Sequence, residues 1–462
     1  MAIAAPLVAP SFVRPSIMAS ISWTIVFLLV TEKIYTTSGT NGDHGNLTAP
    51  SECLPGQASA LLRLKQSFSF ESATTTLPSW EGGTDCCRWE GVSCDTATGH
   101  VNALNLTRRG LYSYGIDQAL FNLTSIEVLD LSMNDTGGSQ LPAVGFERLS
   151  LLTNLDLSSS GFSGQIPVSI SKLSLVSLYL SNQYVYDDNG ITRNRLLLLE
   201  PGFKTLVRNF SKMELYLDGL NISSSGEEWC TTLAKYVPHI QVLSLENCGL
   251  YGSIHPSFSS LHSLEMFELK HLTSLELSDN TNLMVKVESL PKGSRLETLA
   301  LDGTNLHIAK PSSFGNLRFL KALHLDARVI SQELLSSLST LDSLEELSRS
   351  RFVLLNESFF SWIGDIKNLL FLTLEYGDFS RTPNSWIGNL INLEALVILN
   401  SFFSAPRPPE IGNLKNLKIL SLHNCSFSGR IPAWIADLKQ LSYVNLRTNN
   451  LSGKVFIITF FF

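Results

Sequence analysis

Near its C-terminal end the chain reads Leu417-Lys-Ile-Leu420-Ser-Leu422-His-Asn-Cys425, and this stretch decides the fold. Leu420 and Leu422 lie two residues apart, so in an extended strand both side chains point to one face while Ser421 points to the other. Cys425 follows where the chain must turn out of the strand. The same LxxLxLxxN/C pattern recurs as Leu152-Thr-Asn-Leu155-Asp-Leu157 and Leu275-Glu-Leu277-Ser-Asp-Asn280. Its strand-opening leucine falls at 275, 299, 323, 347, 372, 396 and 420, with Val444 next, so the units are 24 or 25 residues apart. Self-similarity at that period marks a solenoid, in which each unit is a strand plus a return segment and buries its apolar face only against its neighbours.

The period also explains how the length is used. A chain of 462 residues would ordinarily hold roughly two to four globular domains. About fourteen strand motifs between Val101 and Gly453 instead place nearly all of it in one elongated domain. Only 16% of residues are charged against 44% hydrophobic, and the formal net charge is -7. That apolar content excludes a disordered chain, and the acidic balance argues against nucleic acid as a partner, because phosphate-backbone binding needs clustered Lys and Arg.

Buried in the turn after the strand, Asn280, Asn305 and Asn449 are expected to bond backbone groups of adjacent turns, giving a ladder through an apolar interior. Cys248 and Cys425 occupy the same position. Phe162, Phe379 and Phe427 follow at matching positions and are expected to stack as a second internal column. The second half of the unit carries Gly164-Gln-Ile166-Pro167, Gly429-Arg-Ile431-Pro432, Ile387-Gly-Asn-Leu390 and Ile411-Gly-Asn-Leu414. Gly and Pro there bend the chain into a short helical return. The extended unit LxxLxLxxNxLxGxIPxxIxxLxxL resembles the plant extracellular class of leucine-rich repeats. That resemblance implies an α/β solenoid, a leucine-rich-repeat superhelix.

The start of the chain reads differently. Arg14 precedes the apolar stretch Ile21 to Val30, which is too short to span a bilayer, and Thr36 and Ser38 offer small residues for cleavage, so residues 1–38 are expected to be a signal peptide. In the oxidising compartment this implies, cysteines pair. Cys53, Cys86, Cys87 and Cys94 are expected to form two disulfides rather than a zinc site, because Cys86 and Cys87 are adjacent and no second short pair lies nearby. Spacing alone leaves three connectivities open. Cys53, Ala60-Leu-Leu-Arg-Leu-Lys65, Leu77-Pro-Ser-Trp80, Cys86-Cys87-Arg-Trp89-Glu-Gly91-Val92-Ser-Cys94 and Gly99-His-Val101 resemble the plant N-terminal cap of such arrays, placed at 50–98 before an array at 99–453. The resemblance implies Cys53 with Cys86 and Cys87 with Cys94. Cys230 and Cys248 are a candidate third bridge, in competition with the bland role of Cys248 in the turn; Cys425 is the odd one. Sequons at Asn46, Asn105, Asn122, Asn134, Asn209, Asn221, Asn356, Asn424 and Asn450 are candidate glycosylation sites, of which only part are expected to be used.

Three places depart from the pattern. An irregular segment, 181–212, interrupts the period with a charged, Leu-rich insertion between Tyr184 and Lys212, followed after the next strand by Glu227-Glu-Trp229-Cys230. Irregular early repeats with that Trp-Cys element resemble plant receptor-like proteins of the disease-resistance type. Phe267 and Leu275, both placed as strand centres, are only 8 residues apart, so one of the two strands is expected not to form. After Gly453 an aberrant apolar tail, 454–462, replaces the next return, and the reading is of an array truncated within a repeat.

An enzyme is not expected: the chain has no G-x-S-x-G, H-E-x-x-H, Walker loop or kinase signature, and no cofactor is implied. His239, His255, His262, His271, His307, His324 and His423 lack ligand spacing and are expected on the surface. Binding is favoured, because a solenoid sets the exposed strand residues of all repeats on one concave sheet. The position after LxL reads Asp218, Glu246, Lys270, Ser278, Asp302, Asp326 and Glu375, then His423 and Arg447. This acidic row, turning basic at its end, favours a cationic ligand, although a merely solvated face is the simpler account. Tyr179, Tyr216, Phe371, Tyr376 and Tyr443 are aromatic neighbours able to anchor an interface. The resemblance implies an extracellular peptide or protein ligand, a co-receptor kinase partner, and a place on the outer side of the plasma membrane through a segment missing from this chain. The alternatives are a secreted inhibitor of the polygalacturonase-inhibiting kind, or a non-functional fragment.

Overall fold

The computed structural model describes residues 52–452, apart from 71–76, 182–184, 187–191, 194–195, 200–201, 211–213, 223–225, 255–270, 288–289, 291, 327–330, 351–356, 380–383 and 404–407. Its backbone is one fifteen-stranded sheet. Val92–Cys94 lies antiparallel to Val101–Asn105, and from there every strand runs parallel to the last, through Val128–Asp130 to Tyr443–Asn445. Strands are parallel because each return brings the chain back to the same end before the next begins. The register keeps the strand-opening leucines side by side: Leu104 with Leu129, Leu129 with Leu155, and so on to Leu420 with Val444. These leucines and the second ones of each LxL form a continuous buried core.

Two irregular units are absorbed without breaking the sheet. Leu178 pairs directly with Leu215, so the insertion between them leaves the sheet, forming an antiparallel pair of Val185–Tyr186 with Thr192–Arg193 and a helix Phe203–Val207. Leu243 pairs directly with Leu275, so neighbouring strands are 32 residues apart there. Phe267 and Lys270 fall outside the described residues.

Inter-turn hydrogen bonding is most complete at Asn134, Asn280 and Asn449. Asn280 accepts at Oδ1 from the amides of Cys248 and Leu250 (3.1 and 3.0 Å) and donates from Nδ2 to the carbonyls of Leu245 and Leu277 (2.8 and 2.9 Å). Asn449 repeats this against Cys425, Phe427, Leu422 and Leu446, and Asn134 against Arg109, Leu111, Leu106 and Leu131. Asn305 does not take part: Thr304 fills the slot, donating to the Leu301 carbonyl at 2.6 Å, and Asn305 points to solvent one residue further on. The returns carry a second ladder that the repeat pattern did not reveal. Asn368, Asn392 and Asn416 each donate from Nδ2 to a carbonyl of the preceding unit, at Asp342, Lys367 and Ile391. Turns pack so closely there that a Cβ on Gly412 would lie 3.0 Å from the Trp434 Cβ, which accounts for the glycine of Ile-Gly-Asn-Leu. The phenylalanine column runs Phe379, Phe403, Phe427, with ring centroids 4.6 and 4.9 Å apart. Phe162 is buried in an earlier turn.

The residue just before each ladder slot adopts the left-handed conformation. Asn247, Asp279, Asn400 and Asn424 tolerate it, and Gly219 and Gly303 favour it, but Thr448 (φ 59°) does not.

The N-terminal cap closes the first strand. Disulfides join Cys53 to Cys86 and Cys87 to Cys94, each with Cα atoms 5.4 Å apart. The Cys53, Cys86 and Cys87 sulfurs crowd together, but as disulfide sulfurs they are not thiolate ligands for a metal. Helix Pro55–Ser67 buries Leu61 and Leu64, Trp80 stacks on Trp89 at 5.5 Å, and Gln57 Oε1 accepts from the Val101 amide at 2.8 Å. Cys230, Cys248 and Cys425 are buried thiols outside any disulfide, which corrects the Cys230–Cys248 bridge. The Cys248 thiol instead donates to the Leu217 carbonyl at 3.1 Å, as Cys425 does to Ile398 at 3.2 Å, so both act as ladder residues. Burial pushes the Cys425 thiol up to about 12, keeping it protonated and unreactive.

Candidate ligand-binding face

Alternation along each strand sends the leucines inward and leaves three columns on the opposite, open face of the sheet. The middle column sits between the two leucines of LxL. In it, strand register sets Asp156 beside Tyr179, Tyr179 beside Tyr216, Tyr216 beside Ser244 and Ser244 beside Glu276. The first column includes Glu214, Ala322, Glu346 and Phe371, and the third is the acidic row read from the sequence.

Tyr179 and Tyr216 stack with centroids 4.7 Å apart and planes 15° from parallel. The Tyr179 hydroxyl donates to Glu214, and burial followed by the surrounding carboxylates and Tyr179 raises the Tyr216 phenol above its ordinary range. Asp218 accepts from the hydroxyls of Ser181 and Ser244 (2.8 and 2.6 Å) and from the Glu246 amide (2.8 Å). With those contacts it ties three neighbouring strands together, a structural role that the sequence did not suggest. Asp302 accepts from Ser278 at 2.6 Å and Glu276 from Ser274 at 2.8 Å. Glu246 is half-buried, and its carboxyl is raised well above the usual range by burial and then by Asp218, Asp279, Asp302 and Glu276. Burial and Asp218 push Glu276 up to about 7, and burial with Asp130 pushes Asp156 up to about 6. Burial, joined by like charges at neighbouring strand positions with no Lys or Arg on the open face among the described residues between Asn105 and Asp326, accounts for the common direction.

The second half of the row behaves otherwise. Asp326 is 1% exposed, Glu375 8% and Phe371 8%, so as placed they are not contact residues, which corrects their assignment to a binding row. Burial, then Asp302 and Asp279, pushes Glu375 up to about 8. His324 and His423 are likewise buried rather than on the surface. Burial lowers the His324 basicity, but its 3.2 Å hydrogen bond to Glu346 and the nearby Asp302 and Glu276 outweigh that and leave it raised. Burial and Arg447 lower His423. Glu276 and His324 stand inside LxL and Glu346 just before it, positions the sequence reading followed only for aromatic residues. The residue inside LxL shares the same face, and its alternation was readable.

Of the sequons, Asn122, Asn209, Asn424 and Asn450 are exposed, and Asn105 and Asn221 half-buried. Asn134 is a ladder residue whose amide is fully engaged, which removes it as an acceptor in the folded chain. Asn46, Asn356, the segment 1–38 and the tail 454–462 lie outside the described residues. Among the described residues no helix is long and apolar enough to cross a membrane.

Comparison with known proteins bears on the whole array. The family model described as "Leucine-rich repeat region" matches residues 219–455, "Leucine rich repeat N-terminal domain" matches 54–95, and "Leucine Rich Repeat" matches 151–173. Receptor-like protein 6 of Arabidopsis thaliana is 29% identical over 317 residues, covering 65% of this chain and 30% of its own length. Receptor-like protein Cf-9 of Solanum pimpinellifolium is 32% identical over 293 residues, covering 59% of this chain and 31% of its own. The matches thus span less than a third of each relative. Among solved structures, the Arabidopsis receptor kinase HAESA ectodomain in complex with an IDA peptide hormone ligand is 21% identical, covering 86% of this chain and 82% of that one, with a TM-score of 0.44. PEPR1–AtPEP1 is 23% identical, covering 86% and 59%, with a TM-score of 0.42. Matched over half its length by a repeat model and at its start by the corresponding cap, the chain belongs to the leucine-rich-repeat family, and its sequence relatives are plant receptor-like proteins.

Proposed function

We propose that this chain is the extracellular ligand-recognition region of a plant cell-surface immune receptor-like protein, binding a cationic peptide or protein segment on the open face of its sheet. The observation that carries the reading is the half-exposed run Asp218, Glu246, Glu276 and Asp302, set on consecutive strands with no Lys or Arg among them. Such a surface attracts positive charge and repels acidic partners. Signalling through a partner kinase, and a position on the outer side of the plasma membrane, rest on the likeness to receptor-like proteins and belong to the intact family form. The test uses the secreted chain and a labelled hexalysine peptide. Glu246→Lys together with Asp302→Lys should weaken binding at least about tenfold, in a salt-sensitive way. Unchanged affinity in that double variant, with folding intact by circular dichroism, removes the open face as the recognition surface.

A further inference from the structure

In a solenoid, residues distant in sequence become neighbours wherever the register repeats their position. His239 stands three residues ahead of Val242 and His271 three ahead of Ser274, and Val242 pairs with Ser274. Both histidines are exposed at the end of a return segment, where the chain enters the sheet. Their ring centroids lie 5.3 Å apart, with the planes 65° from parallel. The backbone beneath them is fixed. Val237 and Ile240 are buried on one turn and Leu272 on the other, and the Gln241 carbonyl accepts from the amides of Thr273 and Ser274 at 2.7 and 3.2 Å. The bonding between the two turns therefore holds the two imidazoles side by side.

Their separation has a chemical meaning. A zinc ion sits about 2.0–2.1 Å from an imidazole nitrogen and so about 3.2 Å from the ring centre, which puts two imidazoles on one tetrahedral ion about 5.2 Å apart. On a square-planar ion, with ligands at right angles, the separation falls to about 4.5 Å. The observed 5.3 Å fits the tetrahedral case. Imidazole nitrogen suits zinc, whereas calcium and magnesium want oxygen. Among the described residues no third His, Cys, Asp or Glu gathers with the pair, which leaves the other positions of the ion to water or to a donor from a bound molecule. Two cations stand near. Lys235 is held over the Tyr236 ring, 5.3 Å from its centre, and Arg295, in the corresponding place on the following turn, is exposed and long enough to carry its charge into solvent.

We propose that His239 and His271 together bind a zinc ion, each through one ring nitrogen. The secreted chain, stripped of metal, is titrated with zinc chloride alone and followed by calorimetry. Wild type should bind zinc, and His239→Ala and His271→Ala should each weaken that binding at least about tenfold. His307→Ala, which removes an exposed histidine elsewhere on the array, should leave it within about twofold. Because His239 and His271 lie on the surface, both variants should unfold at the wild-type temperature in the absence of metal, so that lost binding is not lost folding. No zinc bound by folded wild type, or binding that survives either substitution, overturns the site and leaves the pair as an aromatic contact between turns.

Discussion

Replacing Asn280 by alanine tests the inter-turn ladder directly. Asn280 is 1% exposed and makes two accepted and two donated backbone hydrogen bonds, reaching Cys248, Leu250, Leu245 and Leu277. Alanine strands all of these backbone groups in the interior. A buried polar group left without a partner costs about 1–3 kcal/mol, and a water entering the vacated amide volume recovers part of that for two or three of them. The expected net loss is therefore about 3–5 kcal/mol, at the top of the range for single substitutions. Asn305→Ala is the matched control. The repeat pattern placed Asn305 in the same role, but its side chain is exposed and Thr304 holds the slot, so the change should stay within about 0.5 kcal/mol. Urea unfolding followed by circular dichroism measures both, with the slope against denaturant confirming that the same transition is compared. A loss below about 1 kcal/mol for Asn280→Ala, or equal losses at both sites, refutes the ladder as a source of stability.

Three further outcomes follow from the geometry. Thr448 is a β-branched, exposed residue in the left-handed region, so Thr448→Gly should stabilise the last described turn by about 0.5–1 kcal/mol in the same unfolding assay, and destabilisation would show that the conformation is not strained. Glu276 and Glu375 have folded-state carboxyls raised to about 7 and about 8 from 4.5, so folding binds protons; their contribution is full below about pH 4.5 and is lost as pH rises to about 8. Thermal unfolding should accordingly occur at higher temperature at pH 5 than at pH 8, with Glu375→Gln flattening the profile, whereas a pH-independent midpoint contradicts the burial of these groups. Glycopeptide mapping of the secreted chain should find carbohydrate at Asn122 and Asn450 and none at Asn134; glycan on Asn134 in folded protein would break the ladder assignment there.

The fold was legible because its signal is a period. Leu275, Leu299 and Leu323 announce strands that pair in register, and no single residue has to be judged correctly for the repeat to appear. Single positions were harder. Asn134 reads equally as a sequon and as a turn residue, and only its contacts separate the two. Asn305 and Thr304 differ by one step along the chain, yet that step decides which is buried, because the strand leaves the core through a left-handed residue at Gly303. The site was half legible. The charges of Asp218 and Glu246 are visible in the sequence, but Asp218's three hydrogen bonds depend on Ser181 and Ser244 from neighbouring turns, 37 and 26 residues away. Burial of Asp326 and Glu375 depends on what surrounds the sheet face, which alternation within a strand does not encode.

The ladder slot is not filled evenly along the array, and this sets where the solenoid is stiff. Asn280 and Asn449 lock successive turns through both donors and acceptors, whereas Leu220 offers the next turn only shape. The joint at Leu220 follows the longest excursion from the sheet and lies at the turn that carries Tyr216. Pulled along its axis, a chain of nearest-neighbour couplings yields first at its weakest link. At that joint the Asp218 carboxylate, bonded to Ser181, Ser244 and the Glu246 amide, supplies the coupling the slot lacks, so a charge of the open face doubles as the rivet that keeps this link from parting first.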